Sequence, residues 1–285
     1  MLNVVGHFVR KRARSSGPGL APLLATWFDY REYEAWLYTL QFPPVTKSYG
    51  LDYLSKLEAE GICIVENFWS KELCLRARSE VDRIIEQYPR YLNGNAKADQ
   101  RVYGANNASE LIATFANDMV LASVASAYNH EPTRAAFTLA ARMPASRDNQ
   151  GSGEGWHRDA FLRQFKAILY LSDVGPSNGP FQMILESHRR QRVLSDMRAG
   201  KLKYMQYRLT NSEIEQIIVD EPARKISFPA PAGTLILVDT STLHRGMPIE
   251  DGIRYALTSY YFHERQIDDS LYEKFDVLPS SSAIC

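Results

Sequence analysis

Gly155-Trp156-His157-Arg158-Asp159 sets an imidazole and a carboxylate two residues apart. On a strand, side chains at that spacing leave the same face, so one nitrogen and one oxygen donor can converge on a common point. A second imidazole, His244, follows 87 residues later in Asp239-Thr240-Ser241-Thr242-Leu243-His244. It reaches the same point only if the chain folds back into compact β-structure. Two imidazoles and one carboxylate make up the facial donor set of non-heme Fe(II) sites, which leaves about three coordination positions free. A lone His-x-Asp occurs often by chance, so the context has to carry the weight. His244 comes just after the apolar run Thr234-Leu235-Ile236-Leu237-Val238, and Arg254 lies ten residues beyond it on the next expected strand. A guanidinium there can take a dicarboxylate in a bidentate pair.

The elements that must position these groups are readable in part. Leu51, Leu54, Leu57 and Ala59 recur at helical spacing and stop at Gly61, a C-terminal cap. Ile62-Cys63-Ile64-Val65 reads as a short buried strand. Ser70 then caps a helix that carries Leu73, Ala77, Val81, Ile84, Ile85 and Tyr88 on one face. Residues 90–107 read as a polar loop, 109–128 as one further helix, and Arg134 to Met143 as a strand ended by Pro144. Past His157 the pattern changes to strands separated by Gly/Pro turns: Phe165 to Leu171, Phe181 to Leu185, Lys225 to Phe228, Thr234 to Val238 and Tyr255 to Phe262. Between them a helical insertion over 189–224 carries a capping-box pattern at Ser212-x-x-Glu215. Short strands with no βαβ alternation predict a jelly roll rather than a doubly wound sheet. The expected organisation is one domain: an irregular extension over 1–50 with a short aromatic helix from Trp27 to Leu40, a mostly helical support over 51–133, a jelly-roll core over 134–263 and a tail over 264–285.

Composition removes several classes. Thirty-three basic and 33 acidic side chains cancel, so the global field does not favour nucleic acid as a partner. Cys63, Cys74 and Cys285 are odd in number and far apart, against a disulfide scaffold or zinc ribbon and in keeping with a reducing, cytoplasmic setting. No apolar run is expected to approach the roughly 18 residues of a membrane span. Arg10, Lys11, Arg12 and Arg14 read as a solvated basic tail.

The order His157-Arg158-Asp159, Asn178-Gly179-Pro180-Phe181, Glu186-Ser187-His188-Arg189, Pro231-Ala232-Gly233-Thr234, His244-Arg245-Gly246 and Arg254 resembles the phytanoyl-CoA dioxygenase family of iron- and 2-oxoglutarate-dependent oxygenases. The upstream run from Leu54 to Ile85, with Glu60-Gly61 and Phe68-x-Ser70, is similar to that family's amino-terminal helices. The resemblance implies a double-stranded β-helix core of the cupin type with N-terminal helices, using Fe(II), 2-oxoglutarate and O₂. It implies His157, Asp159 and His244 as the iron ligands and catalytic centre, with Arg254 on the distal carboxylate of 2-oxoglutarate. Where such enzymes often place a serine two residues after the distal histidine or the arginine, this chain has Gly246 and Ala256, which leaves Thr258 or Ser259 as substitutes. Asp159 fills the position that a small residue leaves vacant for halide in the related halogenases. The expected reaction is therefore hydroxylation, or another two-electron oxidation, of a small or medium organic molecule, with release of succinate and CO₂.

Other residues are weighed against plainer roles. Lys166 begins the strand after the metal loop; facing inward it binds cosubstrate or an anionic substrate, facing outward it is a solvated lysine, and strand alternation alone does not choose. Arg142 and Arg163 are weaker candidates for substrate contact. His188 and His263 read as structural histidines, His130 as a loop residue, and Trp156 as a wall beside the site. The 189–224 insertion is either a lid or a surface excursion. Two rival functions use the same donors: a zinc hydrolase, which needs no dicarboxylate clamp, and a cupin-like protein that binds metal or ligand without turnover.

Overall fold

The structure, a computed structural model, describes residues 21–41, 50–94, 99–146, 151 and 155–280. The basic run from Arg10 to Arg14 and much of the 145–155 loop lie outside the described residues. In chain order the strands are β1 (Ile62–Val65), β2 (Gln100–Tyr103), β3 (Thr133–Pro144), β4 (Trp156–His157), β5 (Phe165–Tyr170), β6 (Phe181–Ile184), β7 (Arg208–Leu209), β8 (Lys225–Phe228), β9 (Leu235–Asp239), β10 (His244–Gly246) and β11 (Ile253–His263). They form a six-stranded sheet in the order β1-β9-β5-β11-β3-β2 and a five-stranded sheet in the order β7-β4-β10-β6-β8. Every pairing is antiparallel.

Strand alternation sorts the larger sheet into two environments. On β11, Tyr255, Leu257 and Tyr261 pack outward against helices, with Ala167, Leu169, Leu235 and Leu237. The helices that cover this face are α2 (Leu51–Glu60), α3 (Lys71–Gln87), α4 (Glu110–Ala116) and α5 (Met119–Asn129). The residues between, Arg254, Ala256, Thr258 and Tyr260, turn inward to a cavity that the smaller sheet closes. The remaining helices α1 (Ala21–Gln41), α6 (Arg190–Arg198) and α7 (Asn211–Ile217) surround Trp156, Ile184 and Leu243 on the smaller sheet. A last helix, α8 (Asp269–Phe275), falls in the segment expected to be a tail.

The local caps form where the sequence sets them. Gly61 ends α2 at φ 79°, and the Ser70 hydroxyl accepts from Leu73 N at 3.2 Å to start α3. Four expectations change. The stretch 109–128 is two helices, because the Asp118 carboxylate accepts from Val120 N and Leu121 N and restarts the chain after Asn117. Glu110–Asn129 is apolar enough to match a membrane span by length and composition, yet it is broken here and packs on the larger sheet. The 90–107 stretch supplies β2, which pairs with β3. The capping box is Thr210 with Glu213 rather than Ser212 with Glu215, since α7 begins two residues earlier than its apolar spacing suggested.

Asp239 ties these layers together at the end of β9. It is fully buried; Tyr128 of α5 donates its hydroxyl to Oδ2 at 2.7 Å, and the backbone N–H groups of Gln164 and Ser241 donate to Oδ1 at 3.1 and 2.8 Å. Removing the carboxylate strands two buried donors, each costing about 1–3 kcal/mol, and a third that is part-buried. Asp239→Ala is expected to lower the unfolding free energy by about 3 kcal/mol or more, read from the midpoint of urea denaturation at unchanged slope.

Candidate metal centre

His157 and His244 are direct cross-strand partners on β4 and β10. In an antiparallel pair, opposed side chains share a face, and the two ring centroids stand 4.3 Å apart. Asp159 comes past the end of β4, and its backbone N–H donates to Thr240 O at 2.9 Å, which docks it beside the turn that leads to His244. One donor atom from each of the three residues lies within 4.8 Å of the others. His157 Nε2 is 3.8 Å from Asp159 Oδ1, and His244 Nε2 is 3.8 Å from Oδ2.

Both imidazoles are held in one tautomer. His157 Nδ1 meets Gly155 O and His244 Nδ1 meets Thr242 O, each at 2.9 Å. A carbonyl only accepts, so Nδ1 carries the proton and the Nε2 lone pair faces Asp159. Burial pushes His157 down, and burial with the neighbouring His157 pushes His244 down to about 3. Burial raises the Asp159 carboxyl, but the Lys166 ammonium beside it outweighs this and holds it below the usual carboxylate range. Two neutral nitrogens and one anionic oxygen facing one point form a donor set that suits a divalent metal.

The donors open on a cavity of about 410 Å³ between the sheets. Arg254 lines it from β11 and is 5% exposed. Its Nη1 donates to Gly179 O, its Nη2 lies 2.8 Å from Met143 Sδ, and its Nε is buried without a partner. Gly179 at φ 70° allows this approach, for a Cβ there would sit 2.5 Å from Met247 O and 3.3 Å from Arg254 Nη1. A buried guanidinium facing a carbonyl, a thioether and no carboxylate is poorly satisfied. It suits an incoming carboxylate, so the site fits a chelating dicarboxylate as well as a metal.

Thr258 lines the cavity between Ala256 and Tyr260, whereas Ser259 faces the other way and bonds Thr138 Oγ1 at 2.8 Å. Lys166 faces inward, with its Nζ 2.7 Å from Asp159 Oδ2. Several other candidates go elsewhere. Arg142 bonds Asp82 and Gln100, and Arg163 bonds Tyr128 O and His130, so neither reaches the cavity. His263 meets the buried Glu131 at 3.1 Å, and His130 ends α5 in the left-handed region. His188 packs on Gly61, while its neighbour Ser187 accepts from Leu243 N at 2.7 Å and anchors the approach to β10. Trp156 is 3% exposed beneath the Arg245 guanidinium and packs with the outer helices rather than in the cavity. The insertion contributes β7 beside β4, placing Arg208 opposite His157 on the cavity wall.

Sequence reading missed Tyr170, Tyr260, Arg101, Tyr103, Lys274 and Phe275 as cavity residues. The first two were accessible by counting in twos, Tyr260 from Arg254 along β11 and Tyr170 from Lys166 along β5. Arg101 and Tyr103 lie in the stretch read as loop, and Lys274 and Phe275 in the tail, where no local signal marks them.

Residues 57–253 match the family model for phytanoyl-CoA dioxygenase. The fold is similar to that of the epimerase SnoN in complex with Fe3+, alpha ketoglutarate and nogalamycin RO, at TM-score 0.59 and 18% identity over 81% of this chain and 90% of that one. It is similar to EctD from S. alaskensis with bound Fe, at TM-score 0.59 and 15% identity over 74% and 75% of the chains. HygX from Streptomyces hygroscopicus with nickel, 2-oxoglutarate and hygromycin B bound gives TM-score 0.53 and 16% identity over 75% and 87%. At such identities the likeness is one of fold. No curated protein matches the sequence.

Loss of outer-shell partners typically costs a metal site 10–100-fold in affinity, and loss of a donor itself costs more. Isothermal titration with Co(II) is expected to show Asp159→Ala and His244→Ala binding more than about a hundredfold more weakly than the wild type, with the circular dichroism of both variants unchanged.

Proposed function

The chain belongs to the phytanoyl-CoA dioxygenase family, and from that premise we propose that it is an Fe(II)- and 2-oxoglutarate-dependent oxygenase that hydroxylates a small or medium organic molecule. The observation that carries the reading is Arg254, a buried guanidinium with no carboxylate partner among the described residues, opening on the same cavity as the three donors. A hydrolase that activates water on zinc has no use for such a cation, and the dicarboxylate cosubstrate does.

His157 and His244 would hold iron through Nε2, their Nδ1 protons fixed on backbone carbonyls, and Asp159 would supply the anionic oxygen. Arg254 takes the distal carboxylate of 2-oxoglutarate, and the Thr258 hydroxyl, facing the same space, offers a further contact. Bound there, iron with 2-oxoglutarate and O₂ would supply the oxidising equivalents, with succinate and CO₂ as the coproducts. The protein's share is placement and exclusion of water. Tyr103, Tyr260, Phe262 and Phe275 wall the cavity with rings, and its volume of about 410 Å³ suits a molecule of metabolite size. Halogenation is disfavoured because Asp159 completes the donor set from the protein and leaves no ligand vacancy for a halide, which leaves hydroxylation or another two-electron oxidation.

Succinate release from 2-oxoglutarate is expected to require Fe(II) and to cease with a chelator; release at an undiminished rate in its presence would sink the reading. Truncating one partner of a buried charge pair costs about 2–5 kcal/mol. Arg254→Met is therefore expected to raise the KM for 2-oxoglutarate about a hundredfold while Co(II) affinity stays that of the wild type. The Arg254→Lys variant, lacking the planar fork, recovers only part of the loss.

A further inference from the structure

The cavity holds two buried cations, and they stand in opposite conditions. Arg254 lacks an anion, whereas Lys166 has one. The Lys166 side chain is 8% exposed, with its ammonium 2.7 Å from Asp159 Oδ2. On its other side the ammonium lies over the Tyr260 ring, 3.8 Å from the centroid. Tyr260 is the direct cross-strand partner of Lys166 on β11, and its ring stacks on Phe137 at 5.0 Å. Backbone register and a packed aromatic face thus confine the ammonium to one carboxylate. An ordinary surface lysine has a mobile stem and a hydrated head; this one has neither.

We propose that Lys166 is a positioning residue that acts on the metal through Asp159, by engaging one of its oxygens so that the carboxylate offers a single oxygen as donor. The inference rests on the reading of His157, Asp159 and His244 as metal ligands. The two cations then have separate roles, since Arg254 remains open to an incoming carboxylate and Lys166 is spent on the protein's own. With Oδ2 committed to an ammonium, the protein contributes three donor atoms rather than four, which keeps positions open for cosubstrate and O₂. The same bond draws electron density from the carboxylate, and the positive charge repels a divalent ion nearby. Lys166 accordingly weakens metal binding while shaping it. Loss of a merely structural lysine would have the opposite sign, because a disordered Asp159 binds metal less well.

That sign is the test. Co(II) is titrated calorimetrically into wild-type, Lys166→Met and Lys166→Arg proteins with no 2-oxoglutarate present, and the visible Co(II) spectrum of each is recorded. Lys166→Met is expected to bind Co(II) about tenfold more tightly with an altered spectrum, and Lys166→Arg, which keeps the charge, to bind it no more tightly than the wild type. Unchanged or weaker Co(II) binding by a folded Lys166→Met protein overturns the proposal. Should Lys166→Met fail to fold, Lys166→Gln, which keeps a donor for Asp159 without the charge, carries the same expectation for Co(II). Wild-type protein that binds no Co(II) would remove the metal reading itself, and this inference with it.

Discussion

One short antiparallel contact governs the site: β4 against β10, with His157 directly opposite His244. Two imidazoles 87 residues apart in sequence gain a common face because strand pairing aligns them with no help from long side chains. The contact involves few residues, so its surroundings must hold it. Trp156 is buried among the outer helices, Arg158 N and Asp159 N donate to Tyr207 O and Thr240 O, and Ser187 fixes the backbone just before His244. The Glu186-Ser187-His188 segment, whose histidine reads as structural in sequence, braces the donor strand through Ser187.

Electrostatics explain why the cavity is arranged as it is. Neutral imidazoles tolerate burial, and burial keeps them neutral by pushing their proton affinity down. A carboxylate in the same place needs a countercharge, and Lys166 supplies it. Arg254 has been denied one: Gly179 O and Met143 Sδ meet part of its hydrogen-bonding capacity and none of its charge. A fold selected for stability alone would place an acid there or an apolar residue of like volume. The unbalanced cation leaves a buried positive charge facing the cavity with no carboxylate partner among the described residues, a setting suited to an incoming carboxylate.

The support behind the cavity is less regular than a plain jelly roll. Strands β1 and β2 extend the larger sheet at both edges and come from the segment read as mostly helical, while β7 of the insertion extends the smaller one. Helix α8, from the segment read as a tail, brings Phe275 against Tyr103, Phe137 and Tyr260 at centroid distances of 5.0 to 5.8 Å. Of these additions β2, β7 and α8 line the cavity, and unlike β1 none of the three announces itself locally: β2 is four residues with one buried, and the pattern of α8 is that of any short capped helix.

What the sequence determined by itself is whatever depends on near neighbours or on residue chemistry. The donor types and their order, the helix stops at Gly61 and starts at Ser70, the strand runs from Phe165 onward and the isolated arginine at 254 are all of this kind, since caps, alternation and coordination preference act over a few residues. The tertiary structure alone decided where side chains of equal promise went. Lys166 turned inward to Asp159, Arg142 and Arg163 turned to Asp82 and Tyr128, Thr258 rather than Ser259 faced the cavity, and the expected helix over 109–128 broke at Asp118. The reason is register: a strand shifted by one residue exchanges its faces, and which register wins is set by partners distant in the chain, whose packing no local pattern records.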